Sequence, residues 1–392
     1  MATISVNGAA PKWGGPRRRA FKQAGQLANR FAAAAHHVGL FRETTSAAGI
    51  PGLTGPQVIH VELGDRPYLM VRTLSGQLTG DFAGQADRLA AGMRVDRVRI
   101  TQRAHGYLKV EINPEDPLGV HMPAADPIAS GTWPIEFGRL ETGKILAESL
   151  VNCGNLAVQG QTGSGKSRWL YGVLSQLAGA SQIQISGIDP TAKLLGPWQG
   201  TNQGSLICTD ADYEAMEETT DKLVVDMRQR IESIPADLDY LPVSRENPLR
   251  FIVLEEWANA LTIASIATGK TKGLDTKLGR NVQMMLAEGR KAGFRILMVS
   301  QRMEAGLVGA FNRDNISHRF SFRVFSKEGL KMLHEGISDD VAAAHMTADP
   351  GIALVQAPTI PLARLRAPTI ASYSDYRNKI LAAHHGTLNT AA

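Results

Sequence analysis

Cysteine is nearly absent: Cys153 and Cys208 are the only two in 392 residues. They stand far apart, without metal-ligand spacing, which argues against a disulfide scaffold or a zinc site and fits a reducing cytoplasm. No apolar run reaches the roughly 18 residues that a membrane-spanning helix needs. The basic N-terminus lacks the apolar stretch and small-residue cleavage site of a secretory signal. No repeat of 20–50 residues is visible, so a solenoid is excluded. Acidic residues are missing before Glu43, whereas Lys12, Arg17, Arg18, Arg19, Lys22, Arg30 and Arg42 all fall there. Such a block attracts polyanions by releasing their counterions. It reads equally as a solvated tail or as a contact to DNA, an anionic membrane or a recruiting protein.

The length is enough for one large α/β domain and a smaller one. Residues 1–18, rich in Gly, Pro and Arg, read as disordered. Ala24, Leu27, Phe31, Ala35 and Val38 recur at helical spacing, so residues 1–45 form a basic segment with one amphipathic helix. From 46 to 125 the pattern is that of a small α/β domain. Strands are expected at Val58–Leu63, Tyr68–Val71, Val95–Ile100 and Tyr107–Ile112, with a helix from Phe82 to Met93.

Residues 126–375 alternate short apolar strands with longer helical patterns. The strands are Asn155–Gln159, Ile183–Ile188, Leu206–Thr209, Phe251–Leu254, Ile296–Ser300 and Arg319–Phe325. That alternation implies βαβ crossovers and a mainly parallel sheet covered by helices. The helix from Ala211 to Ile234 is the clearest, and residues 376–392 read as a C-terminal tail.

One motif dominates. Gly160-Gln161-Thr162-Gly163-Ser164-Gly165-Lys166-Ser167 is a complete GxxxxGK[ST] P-loop, entered by an apolar strand and left by an amphipathic helix. Its glycines let backbone N–H groups curl around phosphate oxygens. Lys166 supplies positive charge to the β- and γ-phosphates of ATP, and the Ser167 hydroxyl completes a Mg²⁺ shell. A second strand, Phe251 to Leu254, ends in Glu255-Glu256, at the edge where open α/β sheets place their ligands. Glu255 is assigned to the Mg²⁺ shell and Glu256 to polarising the attacking water. A third strand ends in Gln301, whose amide suits the γ-phosphate or its water. Asp189, which ends another strand, is as suited to capping a helix as to touching ATP.

Together these motifs resemble the motor of the FtsK/SpoIIIE family of double-stranded DNA translocases. The P-loop with Ile188-Asp189-Pro190, Leu254-Glu255-Glu256-Trp257-Ala258-Asn259, and Gly289-Arg290-Lys291-Ala292-Gly293 with Ser300-Gln301-Arg302 carry the likeness. So do Asn315-Ile316-Ser317-His318-Arg319 and Val324-Phe325-Ser326-Lys327. The segment from Ala86 to Glu111 resembles the small domain that precedes that motor.

The resemblance implies a RecA-like ATPase domain and a homo-oligomeric ring, usually a hexamer, around duplex DNA. It also implies an arginine reaching the γ-phosphate from a neighbouring subunit. Arg290 matches that position, and Arg319 is the second candidate. The chain departs from the family at Glu255, where Asp is usual. It also departs in a loop from Ile263 to Lys272, whose Lys270 and Lys272 either track DNA phosphates in the pore or lie on a solvated insertion. With no membrane-spanning N-terminal region and no room for a winged helix after the motor, the expectation is a compact cytoplasmic translocase of plasmid, integrative-element or phage DNA. A coupling or secretion ATPase moving single-stranded DNA or protein shares the P-loop and acid pair. An ATP-binding scaffold with little hydrolysis is the third reading.

Overall fold

A computed structural model describes residues 2–5, 15–45, 50–64, 67–112, 116–303, 314–334 and 336–390; for 2–5, 15–17 and 385–390 only the backbone is described. The chain divides into two compact units, Met1–Gly119 and Val120–Ala392.

The first unit contains β1 (Ala2–Ser5), α1 (Gly15–His37), β2 (Arg42–Thr45), β3 (Pro51–Thr54), β4 (Gln57–Leu63), β5 (Tyr68–Arg72), α2 (Thr79–Ala83), α3 (Ala86–Met93), β6 (Val98–Ala104) and β7 (Tyr107–Ile112). Five strands form an antiparallel sheet in the order β1-β4-β5-β7-β6. Alternate residues of its strands, Val61, Leu69, Val71, Leu108 and Val110, face α1 and α3 in one core. The helix read from the spacing of Ala24 to Val38 begins earlier, at Gly15, and its Ala24, Ala28, Phe31, Ala34 and Ala35 are buried in that core. The basic segment is therefore largely part of the small α/β unit. Arg18, Arg19, Lys22 and Arg30 remain exposed, since their spacing keeps them off the buried stripe.

The second unit opens with a hairpin, β8 (Pro134–Leu140) and β9 (Ile145–Ser149), and then β10 (Asn155–Gln159) and α4 (Lys166–Leu174). There follow β11 (Ile183–Ile188), β12 (Gly204–Cys208), α5 (Tyr213–Glu232), β13 (Leu249–Leu254), α6 (Trp257–Thr268), α7 (Lys277–Glu288) and β14 (Phe294–Ser300). The unit ends with β15 (Ile316–Ser321), α8 (Lys327–Leu333), α9 (Asp339–His345), β16 (Ile352–Ala357), β17 (Ile360–Arg366) and α10 (Tyr373–Thr390). Its sheet has ten strands in the order β12-β11-β13-β14-β10-β15-β16-β17-β8-β9. The six strands from β12 to β15 run parallel, and the other four extend the sheet antiparallel. This is the mainly parallel, RecA-like arrangement read from the sequence.

Both faces of the parallel half are covered, so its strands carry apolar residues on both sides. In β13, Phe251 and Val253 join a core with Trp169 and Val173 of α4. Ile252 and Leu254 join another with Met216 and Leu223 of α5 and Trp257 of α6.

Four expectations are corrected. Residues 1–18, read as disordered, include β1, which pairs with β4, and the start of α1 at Gly15. The strand expected at Arg319–Phe325 runs from Ile316 to Ser321, because Phe322 and Arg323 turn alongside the P-loop instead. The loop expected from Ile263 to Lys272 is helical as far as Thr268, because Ala260, Leu261 and Ala264 carry the buried face of α6 onward. The tail expected from residue 376 lies within α10, whose Tyr376 and Ile380 are core residues. Trp198 Nε1 donates to the Tyr376 hydroxyl at 2.8 Å, and that hydroxyl donates to the Leu194 carbonyl at 2.6 Å.

Gly187 is a point of close backbone approach in the sheet. Its φ is +133°, and a Cβ there would stand 1.9 Å from the Val253 carbonyl oxygen of the neighbouring strand. Gly187→Ala is expected to destabilise the fold by about 2 kcal/mol or more. A fall in the midpoint of urea unfolding at an unchanged slope would be the signature.

Candidate nucleotide site

The parallel order brings the C-terminal ends of four strands to one edge. Residues 160–167 leave β10, Gln301 leaves β14, Glu255-Glu256 leave β13 and Asp189 leaves β11. A single strand, β14, separates the loop strand from the acid strand.

The loop is held by backbone. Gly160 N–H donates to the Gln301 carbonyl at 3.3 Å and Gln161 N–H to the Arg323 carbonyl at 3.0 Å. The Ser164 carbonyl accepts from Gly351 N–H at 2.9 Å. Gly165, at φ +96°, turns the chain into α4, and a Cβ there would lie 2.5 Å from the Gly351 nitrogen. Only glycine fits both that backbone and that space. Thr162, Gly163 and Ser167 are exposed at the mouth, while Lys166 is buried as the first residue of α4. Unused backbone N–H groups and the positive end of α4 thus converge where a phosphate would sit.

Lys166 Nζ lies 3.9 Å from a Glu256 carboxylate oxygen, too far for a hydrogen bond. Glu256 holds a left-handed backbone, φ 49° and ψ 42°, which turns the chain from β13 directly into α6. A non-glycine residue there is uncommon, and such strain gathers at functional sites. Glu255 N–H is fixed to the Ile188 carbonyl at 2.9 Å. Burial pushes the Glu255 carboxyl up to about 7, with Lys166 opposing and Glu256 and Asp189 reinforcing. Glu255 Oε2, Ser164 Oγ and Gln161 Oε1 are buried without a hydrogen-bond partner. Three such orphans, two on the loop and one at the end of β13, are groups that a cation and a nucleotide could satisfy. Ser167 and Glu255 are therefore suited to holding Mg²⁺, and residues 160–167 to holding the phosphates.

Asp189 is occupied otherwise. Its carboxylate accepts from Leu194 N–H at 2.7 Å, Leu195 N–H at 2.8 Å, and the N–H and hydroxyl of Thr191 at 3.1 and 2.7 Å. It caps the turn after β11 and shapes the site only through its charge.

The two arginine candidates are not at this edge. Arg290 precedes β14 while Gln301 follows it, so about 20 Å of strand separates them. Arg290 is exposed and lines a cleft with Lys291, Asp239 and Glu288. Arg319 lies within β15, where its guanidinium donates to the Ile316 carbonyl at 3.1 Å. Lys270 and Lys272 are exposed in the short connection between α6 and α7. Arg18 and Arg19 are exposed on α1 in the other unit, and the Arg17 side chain lies outside the described residues.

One residue was passed over in the sequence. Gln159, fully buried at the end of β10, accepts from Met303 N–H at 2.9 Å and donates to the Ser321 hydroxyl at 2.8 Å and the Gly329 carbonyl at 2.9 Å. His334 continues the chain to the Ser321 hydroxyl at 2.8 Å, and its burial lowers its pKa to about 3, so it stays neutral. Gln159 thereby pins the segment after Gln301, and the start of α8, to the loop strand. A polar residue directly after the apolar run Leu156-Ala157-Val158 was the available signal.

No family model matches the chain. In sequence it is 22% identical over 283 residues to Protein Tra of Streptomyces lividans, covering 68% of this chain and 41% of that protein. It is 24% identical over 221 residues to the DNA translocase FtsK of Bacillus cereus, covering 52% and 26%. The chain thus spans less than half the length of either relative. In structure it is similar to the pCW3 conjugation coupling protein TcpA, determined as a monomer with ATPγS, at a TM-score of 0.55 and 13% identity. That match covers 91% of this chain and 99% of TcpA. The cytoplasmic domain of the type VII secretion ATPase EccC of Thermomonospora curvata gives a TM-score of 0.51 at 20% identity, over 68% and 33%. The resemblance to FtsK/SpoIIIE-type motors and the P-loop fold read from the motifs are both borne out.

The raised Glu255 pKa has a stability consequence. Its native value, about 7, exceeds the ordinary 4.5, so the native state holds a proton that the unfolded chain releases. Without divalent cations, stability is expected to fall as pH rises from about 4.5 and to level off above about 7. Glu255→Gln should flatten that slope in denaturant titrations across the window. An unchanged slope would show that Glu255 ionises as freely folded as unfolded.

Proposed function

We propose that this chain, with the motifs and fold of an FtsK/SpoIIIE-type P-loop ATPase, hydrolyses ATP to move double-stranded DNA as a homo-oligomeric ring. The supporting observation is the constellation at one sheet edge: a glycine-turned loop, a buried lysine 3.9 Å from Glu256, and an unpartnered carboxylate oxygen on Glu255.

Each group has a task. Backbone N–H groups of residues 160–167 and Lys166 bind and orient the phosphates. When bound, Mg²⁺ would neutralise charge on the β- and γ-oxygens, held by Ser167 and Glu255. Glu256, still partly solvated, is placed to accept a proton from the attacking water. Gln301, fixed through its carbonyl to Gly160, orients that water or the γ-phosphate. Since Arg290 stands a strand's length from its own site, it completes only a neighbour's site, which makes hydrolysis depend on assembly.

DNA is favoured as cargo by the sequence likeness to the DNA translocase FtsK. Phosphate contacts from Lys270, Lys272 and the exposed α1 basic residues would give little sequence preference and steep salt dependence. The likeness to EccC supports a second reading, in which a protein is the cargo. The described helices include none long and apolar enough to cross a membrane.

Steady-state ATPase activity with linear duplex, single strands or no DNA tests the reading. Duplex should stimulate strongly and single strands weakly, and Lys166→Ala should abolish turnover. Glu256→Gln should keep ATP binding while losing turnover by about 10²-fold or more. ATP binding without any response to DNA would leave the protein-moving or scaffold readings.

Arg290→Ala should lose about 10³-fold in rate. Mixing it with Lys166→Ala should restore part of the activity, because each variant supplies what the other lacks. No recovery in mixed assemblies would remove Arg290 from the mechanism.

A further inference from the structure

The constellation explains the phosphate half of a nucleotide and leaves its base unassigned. Around the P-loop the two directions are chemically different. Toward β14 and β13 lie Gln301, Glu255 and Glu256, the groups suited to the γ-phosphate end. The base, at the other end of the nucleotide, must therefore leave toward β15, the other neighbour of the loop strand.

The chain at that position is close and fixed. After β15 ends at Ser321, Phe322 N–H donates to the Gln159 carbonyl at 2.9 Å, and the Arg323 carbonyl accepts from Gln161 N–H at 3.0 Å. Phe322 is fully buried and Val324 nearly so, as expected where the chain leaves the sheet. Phe325 is not: it is 82% exposed, more than any other large apolar residue described in the chain. Its backbone is not loose, because the next residue, Ser326, caps α8 by accepting from Gly329 N–H at 3.1 Å.

An aromatic ring held in solvent two residues beyond a P-loop hydrogen bond gains nothing from the fold. A flat apolar face there suits a purine, since every base presents a π-face.

We propose that Phe325 is the base-stacking platform of the nucleotide site, receiving the adenine ring of the ATP whose phosphates lie in residues 160–167. This rests on the P-loop reading above and adds the subsite that anchors the nucleoside. Stacking alone recognises the ring and not its substituents, so Phe325 contributes affinity for purine nucleotides and little choice between adenine and guanine.

The test is calorimetric titration of the full chain with MgADP and, separately, with magnesium tripolyphosphate, which has the phosphates and no base. Phe325→Ala should weaken MgADP binding about tenfold and leave tripolyphosphate binding unchanged. Phe325→Trp should bind MgADP at least as tightly as the parent protein. Equal MgADP affinity in parent and Phe325→Ala would overturn the proposal. So would a parallel loss of both ligands, or a changed oligomeric state in size-exclusion chromatography, which would make Phe325 a subunit contact. If the parent protein binds neither ligand, the P-loop reading itself fails, and that outcome is separable from failure at Phe325.

Discussion

Two carboxylates at the end of β13 face a single ammonium, Lys166, at a place largely shut off from water. Lys166 is buried at the start of α4, and Glu255 keeps one oxygen with neither solvent nor a hydrogen bond. Left alone, such a cluster is poor design, because unpaired buried charge costs several kcal/mol. It makes sense as half of a structure whose other half is a polyanion with its cation. In the proposed reading, phosphate oxygens would complete Lys166 and the loop N–H groups, and a cation would complete Glu255. The rest of the unit serves to hold these groups at their spacing before the ligand arrives.

That holding is done from behind the loop. The side chain of Gln159 and the backbone of Gly160 both reach the segment 301–303, while Ser321 and Gly329 take the other hydrogen bonds of Gln159. Gly165 lies against Gly351, so the connection into β16 closes over the start of α4. One buried amide therefore joins the loop strand, the end of β14, the end of β15 and the start of α8. A shift at any one of them is felt by the others, since packed interiors do not deform piecemeal. This is the physical link between the phosphate site and the segments that flank it.

Much of this was legible because its causes are local. The P-loop, the acid pair and the strands Asn155–Gln159 and Ile183–Ile188 follow from adjacent residues and their alternation. The antiparallel half of the sheet was not legible. Its strands β8 and β9 precede the P-loop, and β16 and β17 lie some 200 residues later, so their pairing depends on tertiary contact. The same holds for α10, where the burial of Tyr376 against Trp198, with Ile380, separates a core helix from a tail. Asp189 stood between two roles in the sequence, and four hydrogen-bond donors around it decide for the cap.

Glu255 is where this chain departs from the FtsK/SpoIIIE pattern it resembles, and the departure has a chemical consequence. Its carboxyl is desolvated, with the charge of Lys166 opposing the upward shift and those of Glu256 and Asp189 reinforcing it. With a pKa of about 7 it is half protonated at neutral pH before any ligand binds. A cation can use only the ionised form, so cation binding must expel a proton from this residue. A carboxyl that ionised freely would impose no such coupling and would leave a standing negative charge in the empty site. As a cation ligand, Glu255 would instead tie the charge of the site to its occupancy, at some cost in cation affinity that deepens as pH falls below 7.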